Sequence, residues 1–499
     1  MSLSTALNIL NSAFVSNAAQ SAVVSSNISN ASTKGYSREI ANVVTNYAGG
    51  ADVVSVTREA NAALLGQVNA STSQASYEQA LSDGLTTLAN TVSDSASATS
   101  TSGSTANGAS PSAMLANLQS ALETYDAAPN SSSTAQGVVT AAGQLTQSLN
   151  AGAAAVQNVR QKADSDMASA VNTINTLLSQ FDSVNQTIVA GTATGANVNS
   201  ALDTRDNILT QLSQQIGIST VANTDGSMSI YTDSGVTLFQ GSPRTVSFAT
   251  TTTLADGVTG NAVMVDGVPV TGASSPMPIQ SGALAGLANL RDNVAPQYGA
   301  QLDQIANGLI NAFAESDQTG GTAPTMPGLF TFSGATGVPS ASAATGLAGE
   351  IEVNANADPA QGGDATRIRD GGIADPTNSA YVYNTTGAAS YTGRIAQLMS
   401  AATTSQSFSA AAGLTTSSSL SDYADASVSW LQAQHQQAST QVDYQNSLVS
   451  QATTALSNAT GVNLDTEMTN MLSIENSYST TAKVLTTVNA MLTSLLNAV

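Results

Sequence analysis

The chain has 499 residues, enough for about three domains, yet only 9% are charged and the formal net charge is −21. Twelve Lys and Arg against 33 Asp and Glu form no basic cluster, which argues against reading a nucleic-acid backbone, since that needs grouped cations. There is no cysteine, which excludes disulfides, thiolate metal sites and a cysteine nucleophile. With 4% aromatic residues, the cores must be built mainly from Ala, Leu, Val and Ile. The first positive residue is Lys34, so a Sec-type leader is not expected, and no apolar run reaches the ~18 residues of a membrane span. A soluble chain is expected, one that would leave the cell only by a route reading another signal.

The first 28 residues contain neither proline nor glycine. Leu3, Leu7, Leu10, Phe14, Asn17, Ser21, Val24 and Ile28 recur there at steps of four and three, which predicts a helix with a coiled-coil seam. SNASTKGYSRE follows, a group of turn formers around Gly35 that ends the helix. From Thr57 to about Val92, Leu64, Val68, Leu81, Leu85, Leu88 and Val92 predict a second helix. Residues 93–112 are low in complexity and read as an exposed loop. A short helix is expected around Met114 to Tyr125, stopped by Pro129. A long one then runs to about Ala190, with Met167, Ile174, Phe181 and Ile188 on one seam and Leu177 and Val184 beside it, followed by another from Leu202 to Ile216.

At Gly217 the pattern changes to short β-prone runs, with turn signals at Asp225-Gly226 and Ser234-Gly235. VMVDGVPV is the clearest hairpin, turning at Asp266-Gly267. Helical period returns at Leu284, Leu287 and Leu290, where Pro296 is expected to kink or break it, and again from Leu302 to Phe313. Residues from about 319 to 391 are rich in Gly, Pro and Ala, with strand-like runs such as EIEVN. The last bundle helix is expected from Leu420 to Ala459, with Val428, His435, Val442, Val449 and Leu456 every seventh residue and Leu431, Ala438 and Ala452 between them.

After Gly461 comes the stretch around which the chain is organised. Steps of four and three from Leu464 meet Met468, Met471, Glu475, Tyr478, Ala482, Leu485, Asn489, Leu492 and Leu496, and only two of these ten positions are polar. Asn463 is placed to cap the helix, and Asp465 and Glu467 put negative charge on its first turn. Two seam helices at opposite ends of one chain are expected to pair, with everything between them an excursion from that stalk.

Both ends carry a resemblance. NISNASTKGYSRE, with Asn27, Asn30, Thr33, Gly35, Tyr36, Ser37 and Arg38, resembles the N-terminal signature of flagellar axial proteins, in the Gly-Tyr-Ser-Arg form of the hook-associated protein 1 family. GVNLDTEMTNMLSIENSYSTTAKVLTTVNAMLTSLLN is similar to that family's C-terminus. One departure is Lys34, where many members have proline. VNANADPAQGGDATRIRDGG is similar to outer segments of some members.

No constellation for chemistry accompanies these signals. His435, the only histidine, sits on a predicted helix seam with no Gly-x-Ser-x-Gly elbow in the chain, and is expected to pack or hydrogen-bond there. His-Glu-x-x-His, a P-loop and Gly-x-Gly-x-x-Gly are all missing. Asp203 and Asp206 beside Arg205 read as an exposed face with a local ion pair. No enzyme activity, cofactor or metal is expected.

The expected fold is mainly α with a β-rich insertion. Residues 1–45 and 461–499 would form a terminal coiled coil, 46–216 with about 281–318 and 394–460 a helical bundle, and 217–280 with about 319–393 an outer β-rich domain. The resemblance implies an exported, extracellular structural component of the flagellum at the hook–filament junction. Its implied partners are copies of itself, hook protein below, a second junction protein or flagellin above, and an export chaperone at the C-terminal helix, with no nucleic acid and no membrane. Another axial protein, a flagellin or hook subunit, is the alternative, and a secreted adhesin or hydrolase on a coiled-coil stalk is a more distant one.

Overall fold

The computed structural model describes residues 3–47, 49–92 and 110–497. The low-complexity loop expected at 93–112 lies outside the described residues as far as 109; at its end Ser110 caps a helix that starts at Pro111.

Helix α1 (Leu3–Asn30) is followed by an antiparallel hairpin, β1 (Glu39–Thr45) and β2 (Ala51–Arg58), which the sequence reading did not anticipate. Its signal is a Gly49-Gly50 turn between Val43-Val44 and Val53-Val54. Helices α2 (Ala62–Ala89), α3 (Pro111–Ala127), α4 (Ser132–Thr194) and α5 (Asn199–Gln215) come next. Asn61, Ser110 and Ser131 cap the first three through their side chains, and left-handed Gly195 ends α4. The 63 residues of α4 give a rod about 95 Å long. Its expected seam of Met167, Ile174, Phe181 and Ile188 is buried, with Leu177 beside it.

Strands β3 (Ile218–Ala222), β4 (Met228–Thr232) and β5 (Thr237–Phe239) form one antiparallel meander. Strands β6 (Val246–Ser247), β7 (Met264–Val265) and β8 (Val268–Pro269) form another, turning at Asp266 and Gly267, which both have positive φ as a type I′ turn requires. Both lie on α4. The Phe181 and Phe239 rings meet edge-on at 4.9 Å, and the Asn175 amide donates to Val246 O at 2.7 Å and accepts from its N–H.

Helix α6 (Ala283–Asn289) runs through a π-helical turn, Leu290–Val294, into α7 (Ala295–Ala312). Pro296 therefore does not break the rod. It sits in the first turn of α7, and the widened turn before it accommodates the ring and the missing N–H. The same turn presents Arg291, which is fully buried and donates to Asp164 of α4 at 2.5 Å and to Asp292 at 2.8 Å. Buried Arg160 donates to the carbonyls of Arg291, Leu254, Ala255 and Val258. These two guanidiniums fasten the 244–281 segment to the bundle.

The following region has little regular structure: β9 (Phe330–Phe332), the one-turn α8 (Leu347–Glu350), β10 (Ile351–Val353) and the one-turn α9 (Arg367–Asp370). Then come α10 (Gly393–Thr403), β11 (Ser405–Ser407), β12 (Ser417–Ser419), α11 (Leu420–Thr460) and α12 (Leu464–Leu496). Among the described residues the strands make five separate small sheets, and no strand from 217–280 pairs with one from 319–393. The α-dominated fold with a β-containing excursion is as the sequence reading gave it.

Helix α11 packs antiparallel along α2, with Leu431, Ala438 and Ala452 buried and His435 Nε2 3.2 Å from Thr86 Oγ1. One core runs from Leu85 and Leu88 through α3, α4 and α7 to Leu431 and Ala438. Leu10, Val24, Ile474 and Val488 are also buried but lie outside it, in the stalk formed by α1 and α12.

Candidate functional site

Helices α1 and α12 pair antiparallel. Ser21 Oγ is 3.7 Å from Met471 Sδ, the Phe14 and Tyr478 rings are 5.9 Å apart, and Tyr478 OH donates to Phe14 O at 3.4 Å. On the α1 side Leu10 is buried, and Leu3, Leu7, Phe14 and Ile28 are half-buried. On α12 the seam consists of two heptad rows. Half-buried Met471, Tyr478, Leu485 and Leu492 form the row that the spacing predicted. The second row is Glu467, Ile474, Thr481 and Val488, of which Glu467, Ile474 and Val488 are buried. It replaces the expected row through Met468, Glu475, Ala482, Asn489 and Leu496, while Leu464, the first residue of the Met471 row, is exposed. Leu464, Met468 and Leu496 are 48%, 59% and 72% exposed, beside exposed Leu472, Met491 and Leu495. At one position of the second row, Glu467, a charged residue enters the seam, and its partner lies hundreds of residues away.

That partner is the signature segment. Arg38 Nε donates to Glu467 Oε1 at 2.7 Å, and Asn27 Nδ2 to Oε2 at 3.2 Å. Asn27 ties the end of α1 to the hairpin, donating to Glu39 O and accepting from Glu39 N–H, both at 2.9 Å. Its Oδ1 also accepts from Tyr36 OH at 2.9 Å. Burial pushes the Tyr36 phenol above its usual range. Arg38 N–H donates to Thr460 O at the end of α11. Asn30 accepts from Thr33 Oγ1 at 3.2 Å and donates to Ser26 O, closing the last turn of α1. Gly35 has φ +81 and lies against Asn207 of α5, whose amide a Cβ there would overlap.

A second clamp holds this assembly to the body. Arg58, at the end of β2, donates from Nη1 to Asp203 at 2.6 Å and from Nη2 to Asp206 at 2.7 Å. Ser37 N–H also donates to Asp203, and Asn199 Nδ2 reaches Glu39 Oε1 and Val56 O. Asp203 and Asp206 are therefore not an exposed local pair with Arg205. They face Arg58 across the joint, while Arg205 is buried and donates to Gly226 O. Burial raises the Asp206 pKa against the opposing pull of Arg58. All seven signature residues thus gather at one joint. Glu467, Arg58, Asp203, Asp206 and Asn199 complete it; the sequence marks Glu467, Asp203 and Asp206 only for local roles, and no local pattern singles out Arg58 or Asn199.

The arrangement positions elements and carries no reactive group in a cleft. Among the described residues no set of three or more His, Asp or Glu is grouped to hold a metal ion, and no helix is long and apolar enough to cross a membrane. A cleft of about 650 Å³ between α7, α10 and β11 is lined by groups such as Asn307, Asn311, Gln397 and Thr404, with no titratable side chain for acid–base chemistry.

Residues 104–332, which contain α3, α4, α5, α6 and α7 with the two meanders on α4, match the family model of the flagellar hook-associated protein FlgK helical domain. That match covers a little under half of the chain. Residues 455–498, which contain α12 and Glu467, match the C-terminal family of the flagellar basal body rod FlgEFG proteins. Flagellar hook-associated protein 1 of Escherichia coli (strain K12) is 24% identical over 326 residues, covering 61% of this chain and 56% of that protein. This chain therefore spans little more than half of that relative. The solved structure of the flagellar hook junction protein FlgK from Burkholderia pseudomallei is similar at 23% identity, with a TM-score of 0.42, over 54% of this chain and 46% of that one.

Proposed function

We propose that this protein is a structural component of the bacterial flagellum at the hook–filament junction, exported and assembled outside the cell. The observation that carries the reading is that the segment matching the FlgK helical domain model is held, through the signature joint, to a stalk of α1 and α12. The stalk is built for association. Between Leu3 and Thr33 there is no charged side chain, and none follows Lys483, so exposed Met491, Leu495 and Leu496 have no charged side chain of α12 beside them to keep neighbours apart. Copies of the chain pack through these helices, with hook protein on one side and a second junction protein or flagellin on the other. A heterologous contact of this kind propagates around a helical assembly. During export α1 and α12 stay unpaired, because a lone polar-studded helix gains too little burial to offset its ordering entropy. In that state the apolar side of α12 between Leu464 and Leu496 docks on an export chaperone.

The test adds purified full-length protein, and a variant lacking residues 1–40 and 460–499, to hook-bearing cells without a junction, with helix content followed by circular dichroism. Full-length protein should gain helix and restore filament growth, while the truncated body stays folded and inert. Filament growth without the termini would overturn the reading. The rod-type C-terminal match favours a rod or hook subunit as the second reading, which predicts that the protein extends hooks instead of seeding filaments.

A further inference from the structure

The main apolar core of the body does not extend across the joint to the stalk among the described residues. Among the described residues, the main hydrophobic cluster includes none from α1, β1, β2 or α12. Polar contacts cross the joint: Arg58 to Asp203 and Asp206, Ser37 N–H to Asp203, Asn199 to Glu39 and Val56, and Arg38 N–H to Thr460 O. The hairpin packs along α1, and both belong to the stalk side of this boundary. Nonpolar packing resists sliding over a broad surface, whereas a few directional hydrogen bonds fix an angle only while each is made.

Asp203 and Asp206 stand one turn apart on α5 and receive the two terminal nitrogens of one planar guanidinium. The side chains are 10%, 13% and 20% exposed for Arg58, Asp203 and Asp206, so solvent screens the pairs little. We infer that Arg58 is a positioning residue: its fork on Asp203 and Asp206 sets the direction of the terminal helix pair relative to the body, and the β1–β2 hairpin is the bracket that transmits it. The Arg38–Glu467 contact does a different job, holding the two helices and the hairpin together inside the stalk. Direction and integrity of the stalk are thus separate properties governed by two arginines.

Because the chain has no native cysteine, spin labels read this directly. A V15C/T187C pair reports the distance from stalk to body, and a V15C/S494C pair reports the distance within the stalk; all three sites are exposed. Double electron–electron resonance is recorded on the free chain and on labelled chain diluted into hook-bound assemblies, in the background of R58M and of D203N/D206N. The state in which the wild-type within-stalk distance is narrow is the one compared. Both backgrounds should lose the single narrow stalk-to-body distance and keep the narrow within-stalk distance. If R58M lowers helix content, D203N/D206N, which leaves the hairpin untouched, decides alone. An unchanged stalk-to-body distance overturns the inference, as does a within-stalk distance that broadens with it. So does a wild-type stalk with no narrow distance in either state. The readout needs no filament growth, so a failed inference is distinguishable from a failed junction reading.

Discussion

Arg38 and Glu467 lie 429 residues apart and meet at 2.7 Å, where the first and last helices and the start of the hairpin come together. Glu467 is 1% exposed, so its carboxylate has exchanged water for Arg38 Nε and Asn27 Nδ2. Removing the guanidinium leaves a buried carboxylate with half its donors. R38A should weaken the stalk by about 2 to 3 kcal/mol, below the ~3–5 of a fully enclosed pair because Arg38 is 24% exposed. The readout is amide hydrogen exchange in α12, since a multi-part chain has no single unfolding free energy. E467Q, which keeps an acceptor for Arg38, should lose less than R38A, and R38A/E467Q should show coupling above ~0.5 kcal/mol in a double-mutant cycle.

Gly35 and Gly267 both have φ near +81, but only Gly35 has a neighbour where a Cβ would sit. G267A should cost about 1 to 2 kcal/mol for the left-handed backbone alone. G35A should cost about 1 kcal/mol more, because the Asn207 amide must move, and G35A/N207A should recover that difference. Local exchange at residues 31–38 and 260–270 compares the two. Equal losses would mean that the Asn207 contact yields freely.

The joint also marks the limit of what the sequence alone discloses. A helix end with a local cause was legible: Asn463 accepts from Thr466 N–H at 3.1 Å. So was the Asp266-Gly267 turn. The seam of α12 was half legible, because apolar spacing finds Met471, Tyr478 and Leu485 but cannot admit Glu467. A buried charge is explained only by its partner, and nothing around Glu467 points to Arg38, which the signature marks without saying what it meets. The π-helical turn before Pro296 was hidden for a similar reason, since a proline signals a break unless tertiary contacts such as those of Arg291 hold the rod together.

Asp303 supplies a pH test. It lies on α7 and accepts N–H bonds from Gly346 and Ala348, both at 2.8 Å, and burial raises its pKa from 3.8 to about 6 despite them. The ionised form is thus disfavoured in the folded state. Its unfolded counterpart loses the proton near 3.8 and the folded group near 6. Between those values the folded chain holds more protons, so this group's contribution falls as pH rises from about 4 to 6, by about 3 kcal/mol, and is constant outside that window. D303N removes the titration and should flatten that part of the stability curve, read by urea unfolding of the body at several pH values. Because the amide has one acceptor oxygen where the carboxylate has two, the absolute stability at pH 7 also shifts. The diagnostic is therefore the lost slope.

The two sides of α12 should separate cleanly by experiment. Ile474 is 8% exposed and packed in the α1–α12 seam, whereas Met468, Leu472 and Leu495 are 59%, 59% and 62% exposed. I474A should destabilise the pair by about 2 kcal/mol, towards the low end for a core aliphatic because a two-helix seam collapses more readily than a closed core. M468S/L472S/L495S should leave hydrogen exchange in the paired stalk within ~0.5 kcal/mol of wild type, since none of the three contributes to the seam. The same triple variant should fail to assemble on hooks, because those side chains form the apolar surface that a neighbouring subunit would cover. Assembly at the wild-type level would mean that neighbours pack elsewhere, and that the exposed side of α12 serves only the chain's passage to the site.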